Sequence, residues 1–249
     1  MTPVLRTEGL TRRFGDLAAV SEVSLALPRG ARHALIGPNG AGKTTLIDML
    51  TGVLAPSSGD VWLGEERITR LAPHARVKRG LARTFQINTL FAGLTVLESL
   101  VLAILEREGR AARWRRPVAS YRGEAQEAME LLASLHLADD AERRTATLPY
   151  GRQRLVEIAL ALATGPRILL LDEPAAGIPA AESGEVLGAI ASLPASVSVL
   201  FIEHDMGLVF RFAERITVLA GGRVLAEGPP EEIRRDARVR EVYLGRADG

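Results

Sequence analysis

A glycine-rich run at residues 37–45 limits both the fold and the chemistry of this chain. It reads Gly37-Pro38-Asn39-Gly40-Ala41-Gly42-Lys43-Thr44-Thr45. The run fits G-x-x-x-x-G-K-[ST], the P-loop pattern, which holds nucleotide phosphates where a strand passes into a helix. An apolar run precedes it at residues 34–36, and residues 46–50 follow at helical spacing. The sequence therefore predicts a loop whose N–H groups and Lys43 bind phosphates, while Thr44 offers a hydroxyl to magnesium.

The lysine of this motif stands out because the chain uses arginine almost everywhere else. Among 31 basic residues, only Lys43 and Lys78 are lysines. A compact ammonium suits a phosphate cradle better than the planar fork of arginine does. A glycine-rich turn that matches the pattern by chance would not explain this choice.

Length and composition restrict the function classes. A chain of 249 residues can bury a large core in one domain with an inserted subdomain. With a net charge of +1, no strong overall field argues for nucleic acid or anionic lipid as a partner, and the absence of cysteine excludes disulfides. The N-terminus lacks the apolar stretch of a signal peptide, and the most apolar segment, residues 94–105, is too short to cross a bilayer. We expect the chain to be cytoplasmic. That location is compatible with docking on a membrane protein.

Strand and helix patterns alternate along the chain. Helical spacing covers about residues 95–137 and residues 151–164, and a short charged helix is predicted from Pro230. Strands are predicted at residues 4–10, 20–27, 61–64, 168–171, 197–202, 216–220 and 224–227. This alternation, together with the P-loop, predicts an α/β fold with a mostly parallel sheet and the ligand at the carboxyl ends of its strands.

Polar residues follow two of these strands. Asp172 and Glu173 end the strand at 168–171, where Asp172 can hold a magnesium shell and Glu173 can orient and deprotonate a water. The alternative is a pair of solvated charges. His204 follows the strand at 197–202 and is a candidate contact for the γ-phosphate, although a lone histidine is a weak signal.

Two further candidates depend on weaker patterns. Gln86, in the run Arg83-Thr84-Phe85-Gln86, is a candidate for contact with magnesium or water. Phe14 is a candidate platform for adenine, and a core phenylalanine is an equally good reading of its local sequence.

These elements together resemble the ATP-binding cassette (ABC) family in order and spacing over the whole chain. The resemblance implies ATP and Mg²⁺ as cofactors and assigns roles along the chain. The roles are an aromatic loop at Phe14, Walker A at 37–45, the Q-loop at Gln86, a signature motif at 148–152 that includes Tyr150 and Gly151, Walker B ending at Asp172, the catalytic Glu173 and the switch His204.

The resemblance also implies an architecture. The expected fold is a P-loop NTPase core (RecA-like, mostly parallel sheet) with an N-terminal antiparallel β subdomain and an inserted α-helical subdomain. The catalytic core and β subdomain would cover residues 1–90 and 155–249, and the helical subdomain residues 91–154.

Partners follow from the family as well. Its members pair head to tail around two ATP molecules, so the signature of one subunit completes the site of the other. The implied partners are transmembrane permease subunits, a second ABC ATPase (the same chain or a related one) and a solute-binding protein, with no nucleic acid. The implied location is the cytoplasmic face of the cell membrane.

Some positions depart from the family pattern. The signature is commonly LSGGQ, and here Pro149, Tyr150 and Arg152 replace the Ser, a Gly and the Gln, which removes one phosphate donor and adds a cation nearby. Pro179 stands in the next loop where Asp or Asn is usual. These changes leave open whether the dimer pairs two copies of this chain or this chain with a related ATPase.

The finer sequence pattern resembles the ATPases of bacterial branched-chain amino-acid importers. The matching segments are Leu148-x-Tyr150-Gly151, 83–86, 173–177, 202–206 and 242–245. Close relatives of this pattern serve urea or amide uptake and lipopolysaccharide export, which the nucleotide site does not separate. A soluble ATPase acting on nucleic acid or ribosomes and a P-loop kinase are the alternatives from other classes.

Overall fold

Two β-sheets and a group of helices make up the computed structural model, which describes residues 2–84, 93–110 and 120–244. One sheet is mixed and has six strands, and the other is antiparallel. The predicted α/β class with a P-loop NTPase core is confirmed. The predicted boundaries between core and helical subdomain stay a prediction.

The six-stranded sheet carries the P-loop. Its strands are β4 (Arg32–Ile36), β7 (Leu81–Arg83), β8 (Ile168–Asp172), β9 (Ser198–Ile202), β10 (Arg215–Ala220) and β11 (Arg223–Gly228). Their order is β11-β10-β4-β9-β8-β7, and every pair is parallel except β10 with β11. Because both faces are covered, the central strands read as continuous apolar runs.

The antiparallel sheet lies at the N-terminus. Its strands are β1 (Leu5–Phe14), β2 (Leu17–Val23), β3 (Ala26–Leu27), β5 (Ser58–Leu63) and β6 (Glu66–Arg67). The prediction of strands at 4–10 and 20–27 was wrong in its bounds, because a tight turn at Gly15 and Asp16 joins β1 directly to β2 and pairs Phe14 with Leu17. Gly15 has a φ of +58°, as such hairpin turns require.

Nine α-helices are found in the described residues. They are α1 (Lys43–Thr51), α2 (Pro73–Val77), α3 (Val96–Arg107), α4 (Arg122–Ser134), α5 (Tyr150–Ala163), α6 (Ala180–Ala191), α7 (Met206–Phe212), α8 (Pro230–Arg235) and α9 (Ala237–Leu244). The helical pattern predicted over about 95–137 corresponds to α3 and α4. Thr95 begins α3 with a capping box, in which it and Glu98 each accept the other's backbone N–H. Within 2–84, 93–110 and 120–244, none of the helices has the length and apolar character needed to span a membrane.

The mixed sheet separates two apolar cores. On β4, Ala34 and Ile36 face the core that contains α3, α4, α5 and α6, whereas Leu35 faces the core shared with α1 and the antiparallel sheet. The same alternation occurs on β8, where Leu169 and Leu170 face opposite cores. The sheet is thus buried on both faces, and its strand ends, which carry the polar residues, are left to form a site.

Candidate nucleotide-binding site

The P-loop joins the end of β4 to the first turn of α1, and its path requires glycine at two positions. A Cβ added at Gly37 would lie 2.3 Å from the carbonyl oxygen of Leu219, and one at Gly42 would lie 2.4 Å from that of Ala19. Gly42 is also the N-cap of α1, with a left-handed φ of 97°. These contacts hold the loop against β10 and β2, so that the N-terminus of α1 opens toward a cavity.

That cavity brings together most of the predicted phosphate-binding and catalytic residues. It has a volume of about 240 Å³. Its lining comprises Ala19, Asn39, Gly40, Ala41, Gly42, Lys43, Thr44, Thr45, Glu173, Ile202 and His204. The first turn of α1 contains no acidic residue. Its N–H groups lack partners within the helix and, with the helix dipole, favour an anion at this point.

Lys43 is buried at the base of the cavity. Its Nζ donates to the carbonyl oxygens of Gly37 at 2.6 Å and Pro38 at 3.0 Å. Burial lowers the pKa of the Lys43 ammonium, while Glu173 and Asp172 act in the opposite direction. Among the described residues no carboxylate forms an ion pair with Lys43, so this cation is suited to an anionic ligand. Gly37 and Pro38 therefore contribute by holding the lysine.

Glu173 and His204 meet directly at the edge of the cavity. Glu173 follows β8 and His204 lies two residues after β9, and these two strands are parallel neighbours that pair Asp172 with Ile202. Glu173 Oε1 lies 2.5 Å from His204 Nε2. Glu173 has a φ of +49°, which is rare for a residue other than glycine and marks a backbone held by its surroundings. The pair can accept or move a proton beside Lys43.

Glu203 is a functional candidate that the sequence reasoning missed. Its carboxylate is buried and accepts the N–H of Ala175 at 2.9 Å and the N–H of His204 at 3.2 Å. Burial raises the pKa of Glu203, partly offset by these two hydrogen bonds. Glu203 thus joins the backbone after Glu173 to the backbone of His204. The only signal available was an acidic residue directly after an apolar strand.

Asp172, the candidate magnesium residue, does not line the cavity. Its Oδ2 accepts from Arg83 Nη2 at 2.9 Å, and Arg83 Nη1 donates to Asp48 Oδ1 of α1 at 2.6 Å. The carboxylate of Asp172 and the exposed hydroxyl of Thr44 are oxygen donors of the kind that Mg²⁺ uses. Gln86, the other predicted magnesium contact, lies outside the described residues.

Phe14 ends β1 and also stands apart from the cavity lining. Its ring is 49% exposed, which rules out the alternative of a core phenylalanine. The guanidinium of Arg12 lies 4.6 Å from the ring centroid. An exposed aromatic face held by a cation is compatible with stacking on a base, and that role stays a prediction.

The signature segment lies in a different part of the molecule. Gly151 helps to line a second pocket of about 270 Å³, whose lining residues include none of those around the P-loop cavity. Tyr150 begins α5 and is exposed, and Pro149 serves as the N-cap. The helix therefore forms despite the proline. A single chain does not bring Tyr150 and Gly151 to its own P-loop.

Arg152 lines the pocket beside Gly151 at the N-terminus of α5, and its guanidinium is paired within the chain. Its guanidinium lies 3.5 Å from Asp140 and 3.7 Å from Glu185, and it also donates to the carbonyl of His136. A Cβ at Gly151 would lie 2.7 Å from Glu182 Oε2, so a carboxylate borders this helix start. The cation predicted beside the signature is thus paired with acceptors of its own chain.

Comparisons with known proteins agree with this geometry. The family model described as "ABC transporter" matches residues 20–176, and one described as "Branched-chain amino acid ATP-binding cassette transporter" matches residues 223–249. The chain is 42% identical to the high-affinity branched-chain amino acid transport ATP-binding protein BraF of Pseudomonas aeruginosa, an alignment covering 98% of this chain and 99% of that protein.

Solved structures show the same fold. The ADP conformation of MJ1267, an ATP-binding cassette of an ABC transporter, superposes with a TM-score of 0.84 at 30% identity and covers 98% of this chain and 100% of that one. The dimeric structure of MJ0796, a bacterial ABC transporter cassette, gives 0.73 at 25% identity over 91% of this chain and 98% of that one.

Proposed function

Because this chain belongs to the ABC transporter family and is an ATPase of that family, we propose that it powers the import of branched-chain or related amino acids through separate membrane subunits. The observation that carries the proposal is a single cavity that joins the P-loop and Lys43 to the contacting pair Glu173 and His204. The substrate class is supported by the C-terminal match at residues 223–249 and by the similarity to BraF.

The P-loop and the start of α1 are proposed to bind the phosphates. The N–H groups of residues 39–45 and the N-terminal dipole of α1 favour the negative charge of the ATP phosphates. Lys43 is held by two backbone carbonyls and pairs with no carboxylate among the described residues, so its ammonium is available to the terminal phosphates. Phe14 is proposed to contact adenine.

Magnesium would be held by Thr44, Asp172 and Gln86, of which the first two have suitable oxygen atoms in the described residues. When bound, the ion supplies positive charge to the β- and γ-phosphate oxygens. Arg83 holds one oxygen of Asp172 and so fixes the orientation of the other. Because Arg83 also binds Asp48 on α1, it ties the end of β8 to the helix that presents Thr44.

Hydrolysis needs a water that is oriented and deprotonated as it attacks the γ-phosphate. Glu173 lines the cavity and is proposed as the residue that accepts the proton. His204 Nε2 lies 2.5 Å from Glu173 Oε1 and is proposed to orient that carboxylate and to sense the γ-phosphate. Strain at Glu173, with its φ of +49°, indicates that the surrounding structure sets this geometry.

The site is proposed to be completed by a second cassette. Gly151 lines another pocket of the same chain, and neither it nor Tyr150 lines the P-loop cavity, so a signature segment for this P-loop would come from another subunit. The second cassette is this chain or a related one. We further propose permease subunits and a solute-binding protein as partners, at the cytoplasmic face of the membrane.

The test uses Glu173→Gln, with Glu130→Gln on the exposed face of α4 as the matched control. We expect Glu173→Gln to bind ATP normally and to lose about 10²- to 10⁴-fold in turnover, the usual contribution of a general base. Near-normal turnover would exclude Glu173 as the base. In cells from which this chain has been deleted, uptake of labelled leucine should be restored by the wild-type chain and by Glu130→Gln but not by Glu173→Gln. Leucine uptake that the deletion leaves unchanged would overturn the substrate class.

A further inference from the structure

The backbone turn that carries Glu173 is held from several sides. The Glu173 N–H donates to the carbonyl of Ile202 on β9 at 3.1 Å, and the N–H of Ala175 donates to the buried Glu203 at 2.9 Å. The carbonyl of Glu173 accepts the N–H of Ala176 within the turn at 3.0 Å, and the carbonyls of Glu173 and Pro174 are also held from a different element. Arg154 Nη2 donates to the Glu173 carbonyl at 3.1 Å, and Arg154 Nε donates to the Pro174 carbonyl at 3.3 Å.

Arg154 comes from α5, the helix that begins with the signature segment. Its side chain is 6% exposed, and its third contact is Glu157 Oε2 at 2.7 Å, one helical turn along. Glu157 therefore fixes one arm of the planar guanidinium, and the other nitrogens reach two successive carbonyls. A lysine ammonium at the end of a flexible stem cannot reproduce this fork.

These contacts connect the signature helix to the catalytic turn through a single side chain. We propose that Arg154 is a positioning residue for Glu173: it holds the carbonyls of Glu173 and Pro174 so that the strained backbone keeps the carboxylate in the cavity. A shift of α5 therefore displaces Glu173. The proposal rests on the proposed role of Glu173 in ATP hydrolysis and adds a residue that does not line the P-loop cavity.

If Arg154 served only to stabilise the fold, its variants would lose turnover only to the extent that they lose stability. Removing one member of a buried ion pair leaves the other charge without a partner and destabilises the fold, whereas replacing both by apolar side chains is often neutral. The double variant Arg154→Met/Glu157→Met removes the buried charges but also the contacts with the Glu173 turn. Stability and positioning are thereby separated.

The experiment measures the melting temperature, the ATP dissociation constant and turnover for the purified full chain and three variants. Arg154→Met should melt at a lower temperature, and Arg154→Met/Glu157→Met should recover most of that loss. Both should turn over ATP about 10- to 100-fold more slowly, the size expected when a catalytic group is misplaced by about 1 Å. The ATP dissociation constant should change less than about threefold, because Lys43 and the P-loop are untouched.

Arg154→Lys keeps a positive charge beside Glu157. It tests the proposal independently if the double variant does not fold. It should melt near the wild-type temperature and still lose turnover. Recovery of turnover together with melting temperature in the double variant, or wild-type turnover in Arg154→Lys, would overturn the proposal. Turnover that is unchanged in Glu173→Gln would instead count against the proposed role of Glu173, which keeps the two failures distinct.

Discussion

Two glycines of the P-loop allow the energetic effect of its close packing to be measured. Gly42 and Gly40 both have left-handed backbones, with φ of 97° and 79°. A Cβ at Gly42 would lie 2.4 Å from the carbonyl oxygen of Ala19, whereas a Cβ at Gly40 would meet no atom within 4 Å. Gly42→Ala therefore introduces both backbone strain and overlap, and Gly40→Ala introduces strain alone.

The difference between the variants follows from these distances. A non-glycine residue in the left-handed region costs about 1–2 kcal/mol, which applies to both variants. The overlap in Gly42→Ala is with backbone of β2, which cannot rotate away, and overpacking of this kind adds about 1–3 kcal/mol. We expect Gly42→Ala to lose about 2–5 kcal/mol of unfolding free energy in total and Gly40→Ala about 1–2 kcal/mol.

Urea unfolding of both variants and of the wild type, without nucleotide, measures this difference. Thermal unfolding should give the same order, since 1 kcal/mol corresponds to about 2–4 °C for a chain of this size. Equal losses in the two variants would refute the reasoning, because they would show that contact with Ala19 does not restrict residue 42.

The remaining predictions concern stability. Arg76 is 1% exposed and donates to four backbone carbonyls around the end of α1, so Arg76→Met should lower the unfolding free energy by about 3 kcal/mol or more. Arg79→Met, which breaks an exposed ion pair, should cost less than about 1 kcal/mol; similar losses in urea unfolding would contradict this. Burial lowers the pKa of His33 from 6.5 to about 4, so as the pH falls His33 takes up a proton in the unfolded chain before it does so in the folded chain. The unfolding free energy should therefore be unaffected by His33 above about pH 6.5 and should fall by up to about 3 kcal/mol toward pH 4. The fall should be less steep in His33→Gln, and an unchanged slope in that variant would exclude His33 as its cause.

Local sequence accounts for most of the elements and for the choice of candidate site residues. The P-loop could be predicted because its conformation is set by glycines and a helix start within nine consecutive residues, 37–45. The strands β8 and β9 could be predicted because strands buried on both faces read as apolar runs. The helices α6 and α7 were not predicted, although Asp205 precedes α7 and accepts the N–H of Leu208 as an N-cap.

The contacts that turn these residues into a site belong to the tertiary structure. Glu173 and His204 are separated by 31 positions along the chain and meet only because β8 and β9 are neighbours in the sheet. Arg83 bridges Asp48 and Asp172 in the same way. No local pattern encodes such pairings, because strand order depends on how the whole chain covers both faces of the sheet. The sequence by itself determined which groups the chain possesses, and the packing of the sheet and helices decided which of them touch.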